Sequence, residues 1–422
     1  MNLLALVFFI INAIALWMVP RKYAPIPLLI GCCYMTIGQG IHLGPISLPI
    51  FRMLMTVGLF RVALIGERIA QCLNKIDWLI ISLAGWLLFA SLFHSGMNGS
   101  GPLFMLGMLF NITLSYFLIR VWTRDMEELA DLVKMIAFLL APLALAMMVE
   151  KLTSHNLFSL FGGVPEISVM REGKYRAQGP FRHSILAGTV GATCFPLFVG
   201  IYKINKTSAL LGMVSGVAIV LFSSSSGPVM SLFAGIFALI MWIYRKYTRR
   251  IVLAAGITYA ILMAVMNRPP YYLISKIDIS GGSTGWHRAY LIEQTFKHLS
   301  EWWLFGTDTT RHWMPGQGIG MWASHTDITN YYIAFGVMGG LSAMCLMICV
   351  MIVAFKWVGI TSSSLVIVHK NHAFMIWAFG SGLFAHAATS ISVAYFDQSM
   401  MFFWINIAVI SSVYSSNRHM FT

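Results

Sequence analysis

His325 and Asp327 stand two residues apart at the end of a long polar stretch, just before an apolar run begins. An imidazole is the usual general base near neutral pH, and a nearby carboxylate orients it or raises its basicity. The pair has the composition to orient and deprotonate a hydroxyl, although a hydrogen-bonded loop histidine is the commoner use of such spacing. A second set of charges lies in an earlier polar stretch: Lys151, His155, Glu166, Arg171, Lys174, Arg176, Arg182 and His183. Arg171, Lys174, Arg176 and Arg182 fall within twelve residues. The arginine fork pairs bidentately with phosphate oxygens and stays charged, so this cluster suits a phosphate-bearing partner. An exposed basic loop at a membrane surface is the plain alternative. Gly179-Pro180 fixes a turn that would aim Arg182 and His183 back toward the rest of the chain. Six of the twelve histidines (His155, His183, His287, His298, His312, His325) lie in these two stretches. None shows a His-x-x-x-His spacing, so the sequence predicts no metal. The cysteines, Cys32, Cys33, Cys72, Cys194, Cys345 and Cys349, avoid both stretches and form no disulfide framework.

The elements that must carry these residues follow from composition. The chain has 422 residues, 58% hydrophobic and 10% charged, with a mean hydropathy of +0.76. An ordinary soluble domain is about 45–50% apolar and about 25% charged. A soluble enzyme, a disordered chain and a disulfide-knotted domain are excluded, and so is an outer-membrane barrel, whose strands alternate. What remains is an all-α polytopic integral membrane protein. Apolar runs predict helices near 2–19, 24–43, 46–65, 78–95, 102–120, 130–149, 185–202, 207–223, 228–244, 251–266, 331–355, 372–394 and 398–415. That is about 12–13 spans in one transmembrane domain, 1–422.

The net charge of +13 reads as helix-end retention on the cytoplasmic side, and no nucleic-acid partner is expected. Sixteen Lys and Arg residues fall in one alternating set of loops, while the short opposite connections hold none. By that asymmetry the two long loops, 150–184 and 267–330, face outward. Thirteen spans would put the N-terminus outward as well. Arg52 and Arg61 lie inside the third span, nine residues apart and so on opposite faces; Arg52 is close enough to the outward end to join a phosphate site, and Arg61 to snorkel the other way, although structural roles suit both. The second loop is too long to be idle. In it Ala289, Ile292, Phe296, Leu299 and Trp303 mark one apolar face, predicting an amphipathic helix from Trp286 to Trp303 with Arg288 in its first turn.

Trp286-His-Arg288-Ala-Tyr-Leu, Leu304-Phe-Gly306, Ser324-His325-Thr-Asp327, Tyr332, Phe335-Gly336-Val and Gly339-Gly340 resemble the O-antigen ligase/Wzy-type polysaccharide polymerase superfamily. The first loop, Arg176-Ala-Gln-Gly179-Pro-Phe-Arg182-His183-Ser, is similar too. The motifs cover roughly 170–345. The family's Ser-Arg-Gly turn is Ser223-Ser-Ser-Ser-Gly227-Pro here, without an arginine, so that cation is either missing or supplied by Arg182.

The resemblance implies a glycosyltransferase of the C-type fold in the bacterial inner membrane, with its site facing the periplasm and no metal or other cofactor. Its donor would be a glycan on undecaprenyl diphosphate and its acceptor a glycan hydroxyl. Arg288 and Arg182, then Arg176 and Arg171, would hold the diphosphate. His325 would serve the acceptor hydroxyl with Asp327 assisting, and Tyr331, Tyr332 and His183 would contact sugar. A repeat-unit polymerase is the first expectation, with room for a chain-length regulator as partner. An O-antigen ligase acting on lipid A-core is the second. A lipid-linked glycan transporter or flippase is the alternative of another class; it calls for ionisable residues in mid-span or paired broken helices.

Overall fold

A computed structural model of the chain describes residues 1–44, 46–94, 101–276, 285–314 and 326–417. It is 75% helical. Long runs of Leu, Ile, Val, Phe and Met satisfy their backbone internally only as helix in an apolar setting. They form α1 (Leu3–Met18), α2 (Pro25–Tyr34), α3 (Ile50–Ile65), α4 (Lys75–Ser91), α5 (Gly101–Trp122), α6 (Met126–Thr153), α7 (Ser184–Gly200), α8 (Lys206–Phe222), α9 (Ser226–Ile240) and α10 (Thr248–Val265). After the second long loop come α13 (Tyr331–Val368), α14 (Lys370–Ser390) and α15 (Met400–Ser416). That loop itself contributes α11 (Gly285–Lys297) and the single turn α12 (Leu299–Trp302). Among the described residues, four helices are long and apolar enough to cross a membrane by length and composition: Gly101–Trp122, Met126–Thr153, Arg245–Val265 and Tyr331–Val368. The chain is a mainly helical membrane protein. α10 stands off the bundle, with none of its residues buried.

The helix ends sort into two groups. At one end Arg21 pairs with Glu128 at 2.5 Å, and Arg61 pairs with Glu67 at 2.7 Å while donating to the Val19 carbonyl at 2.9 Å. Beside them Asp77 and Arg120, both buried, share a network with Tyr116, Ser411 and Ser415. Arg61 is thus neutralised inside the protein. At the other end both long loops gather. Asn2 donates to Gln39 (2.8 Å) and to the Leu160 carbonyl (3.0 Å), so the first helix starts at this end too. Arg52 donates to Asn111 (2.7 Å) and to the Ser47 carbonyl (2.9 Å), which ties α3 to α5.

Two expected helices differ. The helix expected over 24–43 stops at Tyr34, and a hairpin of β1 (Gly40–Leu43) and β2 (Ile46–Pro49) follows. Past that end the backbone of Gly38 packs against the first loop, where a Cβ would lie 2.6 Å from the Gly163 nitrogen. α13 runs past the expected 355 and is broken at Gly339 and Gly340, which leave helical geometry. The Leu304-Phe305-Gly306 turn fills the break. The Leu341 amide donates to the Trp303 carbonyl (2.9 Å), and the Thr307 amide to the Val337 carbonyl (2.9 Å). Phe305 stacks on Phe93 with centroids 4.0 Å apart, and the His94 ring bonds the Phe305 carbonyl (2.8 Å) and Asp308 (2.9 Å).

Candidate functional site

The first loop is built around a buried carboxylate that the sequence gave no reason to select. Glu150, in the last turn of α6, accepts from the amides of Gln178 (3.0 Å) and Gly179 (2.8 Å) and from the Ser168 hydroxyl (2.7 Å). From the other side Asn156 donates to the Gly179 carbonyl at 2.9 Å and Gln398 to the Pro180 carbonyl at 3.1 Å. Gly179 has φ +57°, a conformation glycine takes at little cost. The turn is therefore fixed from several directions, and its fixed backbone orients the side chains flanking it.

Arg176 lies just before that turn and is only 6% exposed. Its Nη2 donates to Ser225 Oγ at 2.6 Å, at the start of α9, and the Ala177 amide donates to the Phe222 carbonyl at 3.1 Å. Lys151 bonds Ser224 Oγ at 2.5 Å and the Tyr175 carbonyl. The cations at the Ser223–Gly227 turn are therefore Arg176 and Lys151. Arg182 instead donates its backbone amide to Asp397 at 2.9 Å, and its charge acts on that carboxylate. The expectation that Arg182 supplies the missing cation is corrected: the turn past Pro180 sends it toward the α14–α15 connection. Arg171 sits on a small hairpin, β3 (Met170–Arg171) with β4 (Lys174–Tyr175), closed by Glu172 and Gly173 at φ +49° and +70°.

Arg288 arrives from the second loop, in the first turn of α11 as expected. The face burying α11 differs from the expected one. Ala289 and Ile292 are inside, joined by Leu291, whereas Phe296 and Trp303 are 60% and 51% exposed, and the helix breaks at His298. Leu291 and Ile292 pack with Trp302, Trp313, Met314, Ile333 and Val337, a small core that seats the loop on α13.

Three guanidinium groups from two separate loops thus lie within electrostatic reach of one another. Burial lowers the Arg176 pKa, and Arg171 and Arg288 lower it further. Burial likewise lowers Arg288, Arg171 adds to this, and Asp327 offsets it. All three stay charged near neutral pH, and mutual repulsion of this kind is relieved by an anion. The buried Nε atoms of Arg176 and Arg288 have no hydrogen-bond partner among the described residues. His183 joins them. Its Nδ1 accepts from the Ile185 amide at 3.2 Å, capping α7, which leaves Nε2 to carry the proton. Burial, helped by Arg176 and Arg171, pushes its pKa down to about 4. His183 as a residue is exposed, so the recess in which Arg176 is buried opens to solvent beside it. At neutral pH His183 is an uncharged donor rather than a base.

Asp327 is exposed and electrostatically coupled to Arg288. His325 lies outside the described residues. Tyr331, expected to contact sugar, is 4% exposed, its ring packed against Phe335, Tyr395 and Phe403. Tyr332 is half-buried and spends its hydroxyl on the Ala387 carbonyl at 3.0 Å. Helix α13 begins at Tyr331, which turns both rings into the bundle, so packing explains them and sugar stacking does not. Glu150, Ser225 and Asp397 were not legible as site residues; each acts through a contact far away in sequence. No family model matches the chain, and no curated protein matches it.

Proposed function

We propose that the protein is a glycosyltransferase working at the outer face of a bacterial inner membrane, most simply a polymerase of surface-polysaccharide repeat units, with 12–13 spans around the site. The observation that carries this reading is that Arg171, Arg176, Arg288 and His183, from two separate loops, lie close enough to act on one another electrostatically at the end where both long loops gather. Such a cluster suits a doubly ionised diphosphate: the guanidinium groups neutralise the leaving group and His183 adds an uncharged hydrogen bond. Fixed donors of this kind act most strongly where water is partly excluded.

In the proposed reaction the bond between the sugar anomeric carbon and the diphosphate oxygen breaks. A new bond forms from that carbon to the acceptor hydroxyl oxygen. His325 takes the hydroxyl proton, and undecaprenyl diphosphate leaves with the bonding electron pair, held by Arg288 and Arg176. Asp327 keeps Arg288 aligned. The transporter reading is less well supported. The break in α13 is filled by the protein's own backbone at Trp303, Leu304 and Gly306, and the Trp303 and Val337 carbonyls there accept from the Leu341 and Thr307 amides.

The test uses purified protein in nanodiscs with an undecaprenyl-diphosphate oligosaccharide, with and without lipid A-core. A product ladder from donor alone, lost in His325→Ala and reduced in Arg288→Lys, is the expected result. Product only with lipid A-core would replace the polymerase with a ligase. Donor bound but unconverted under both conditions would overturn glycosyl transfer.

A further inference from the structure

Away from the arginine recess, the second loop brings together three side chains that their sequence spacing does not pair. A ring nitrogen of His298, a carboxylate oxygen of Glu301 and a ring nitrogen of His312 all lie within 4.8 Å of one another. His298 Nδ1 is 2.7 Å from Glu301 Oε1, and His312 Nε2 is 2.8 Å from Glu301 Oε2. We infer that His298, Glu301 and His312 form a binding site for a divalent transition-metal ion, with Zn2+ as the best match.

The donor set is the first support. Two imidazoles and one carboxylate are the three protein ligands of many zinc sites, with the fourth position left to water. Here Glu301 and His312 are exposed, so a fourth position is open to solvent. Geometry is the second. Zinc ligands sit about 2.0–2.2 Å from the ion, which places them roughly 3.3–3.5 Å from each other. Small rotations of exposed side chains reach that spacing from the present one. Support from the surrounding groups is the third. The His298 ring lies nearly parallel to Trp313, 13° apart with centroids at 5.8 Å, and Trp313 Nε1 donates to Glu301 Oε2 at 3.0 Å. Trp313 is fully buried, so two of the three ligands are oriented by a fixed floor. Such outer contacts are the usual means of orienting metal ligands.

The ion would lie apart from the proposed transfer site. His298 is ten positions beyond Arg288 on an element rising about 1.5 Å per residue, so the ion would sit about 15 Å from the arginine recess. It would clip α12 to the 311–313 turn and so fix one end of the segment leading to His325.

The experiment is calorimetric titration of tag-free, EDTA-treated full-length protein in detergent with ZnCl2, with melting curves measured with and without zinc. Wild type is expected to bind one ion per chain and to melt at higher temperature with zinc. His298→Ala and His312→Ala are each expected to lose at least about 10-fold in affinity. His312 is exposed, so its replacement leaves the Trp313 floor in place; the metal-free melt of that variant should match wild type. Absence of zinc binding by wild type, or undiminished binding in His312→Ala, overturns the site. The readout is metal binding, so failure of the glycosyltransferase reading would leave it untouched.

Discussion

Arg176 and Arg182 are six residues apart in one loop, and their sequence context gives no reason to rank the first above the second. Their partners separate them. Arg176 reaches Ser225 and shares its field with Arg171 and Arg288, whereas Arg182 turns to Asp397. A hydrogen bond to a charged group contributes about 1.5–3 kcal/mol, which is roughly 10- to 100-fold in an equilibrium or rate. Arg176→Ala is therefore expected to lower donor turnover by about 10- to 100-fold. Arg182→Ala keeps the backbone amide that serves Asp397 and removes only an exposed charge, worth under about 1 kcal/mol and so less than about 5-fold. Turnover of the two variants side by side, with melting temperature as the folding control, checks this. Equal losses would return Arg182 to the diphosphate site. Helical periodicity placed Arg288 in a first turn, and the resemblance alone marked it as a diphosphate contact. Arg176 was not, because its position depends on Glu150 and Ser225, which are far from it in sequence.

Among the elements, the break in α13 shows how a recognised pattern becomes a mechanical part. Leu304-Phe-Gly306 and Gly339-Gly340 were visible as motifs, but not as two halves of one joint. A Cβ on Gly340 would stand 2.1 Å from the Leu304 carbonyl oxygen, and the residue has φ +72°. No rearrangement of a single side chain relieves that contact, because the obstacle is backbone. Strain at such a position costs about 1–3 kcal/mol before the clash is counted, so Gly340→Ala is expected to destabilise the protein by about 3 kcal/mol or more. Thermal unfolding in detergent reads the loss. A melt unchanged from wild type would show that the joint is looser than drawn. The helix ending at Tyr34 was unreadable for a related reason. Hydropathy continues through Ile37 and Ile41, but the chain there leaves the helix, packs Gly38 against Gly163 and enters the 40–49 hairpin. Apolar periodicity reports what a segment tolerates, not where it ends.

At the scale of the whole molecule, alternating charge along the chain predicted that loops 150–184 and 267–330 share one side. The closeness of Arg171, Arg176 and Arg288 depends on which helices are neighbours, information that hydropathy does not carry. The opposite end holds the ion pairs Arg21–Glu128, Arg61–Glu67 and Asp77–Arg120. Orientation therefore decides whether the recess can meet an outward-facing lipid-linked donor, and the cysteines supply the means to measure it. Cys32, Cys33 and Cys194 are buried, and Cys345 and Cys349 lie on the apolar surface of α13. Cys72 is exposed between α3 and α4, at the ion-pair end. Lys174 is exposed in the first-loop hairpin. A membrane-impermeant maleimide added to spheroplasts is expected to label Lys174→Cys and to leave wild type unlabelled until the membrane is permeabilised, when Cys72 becomes accessible. Labelling of wild type in intact spheroplasts, with Lys174→Cys adding nothing, would turn the molecule over. The arginine recess would then face the cytoplasm, where positive-inside retention would explain its charge and transfer from a periplasmic donor would lose its site.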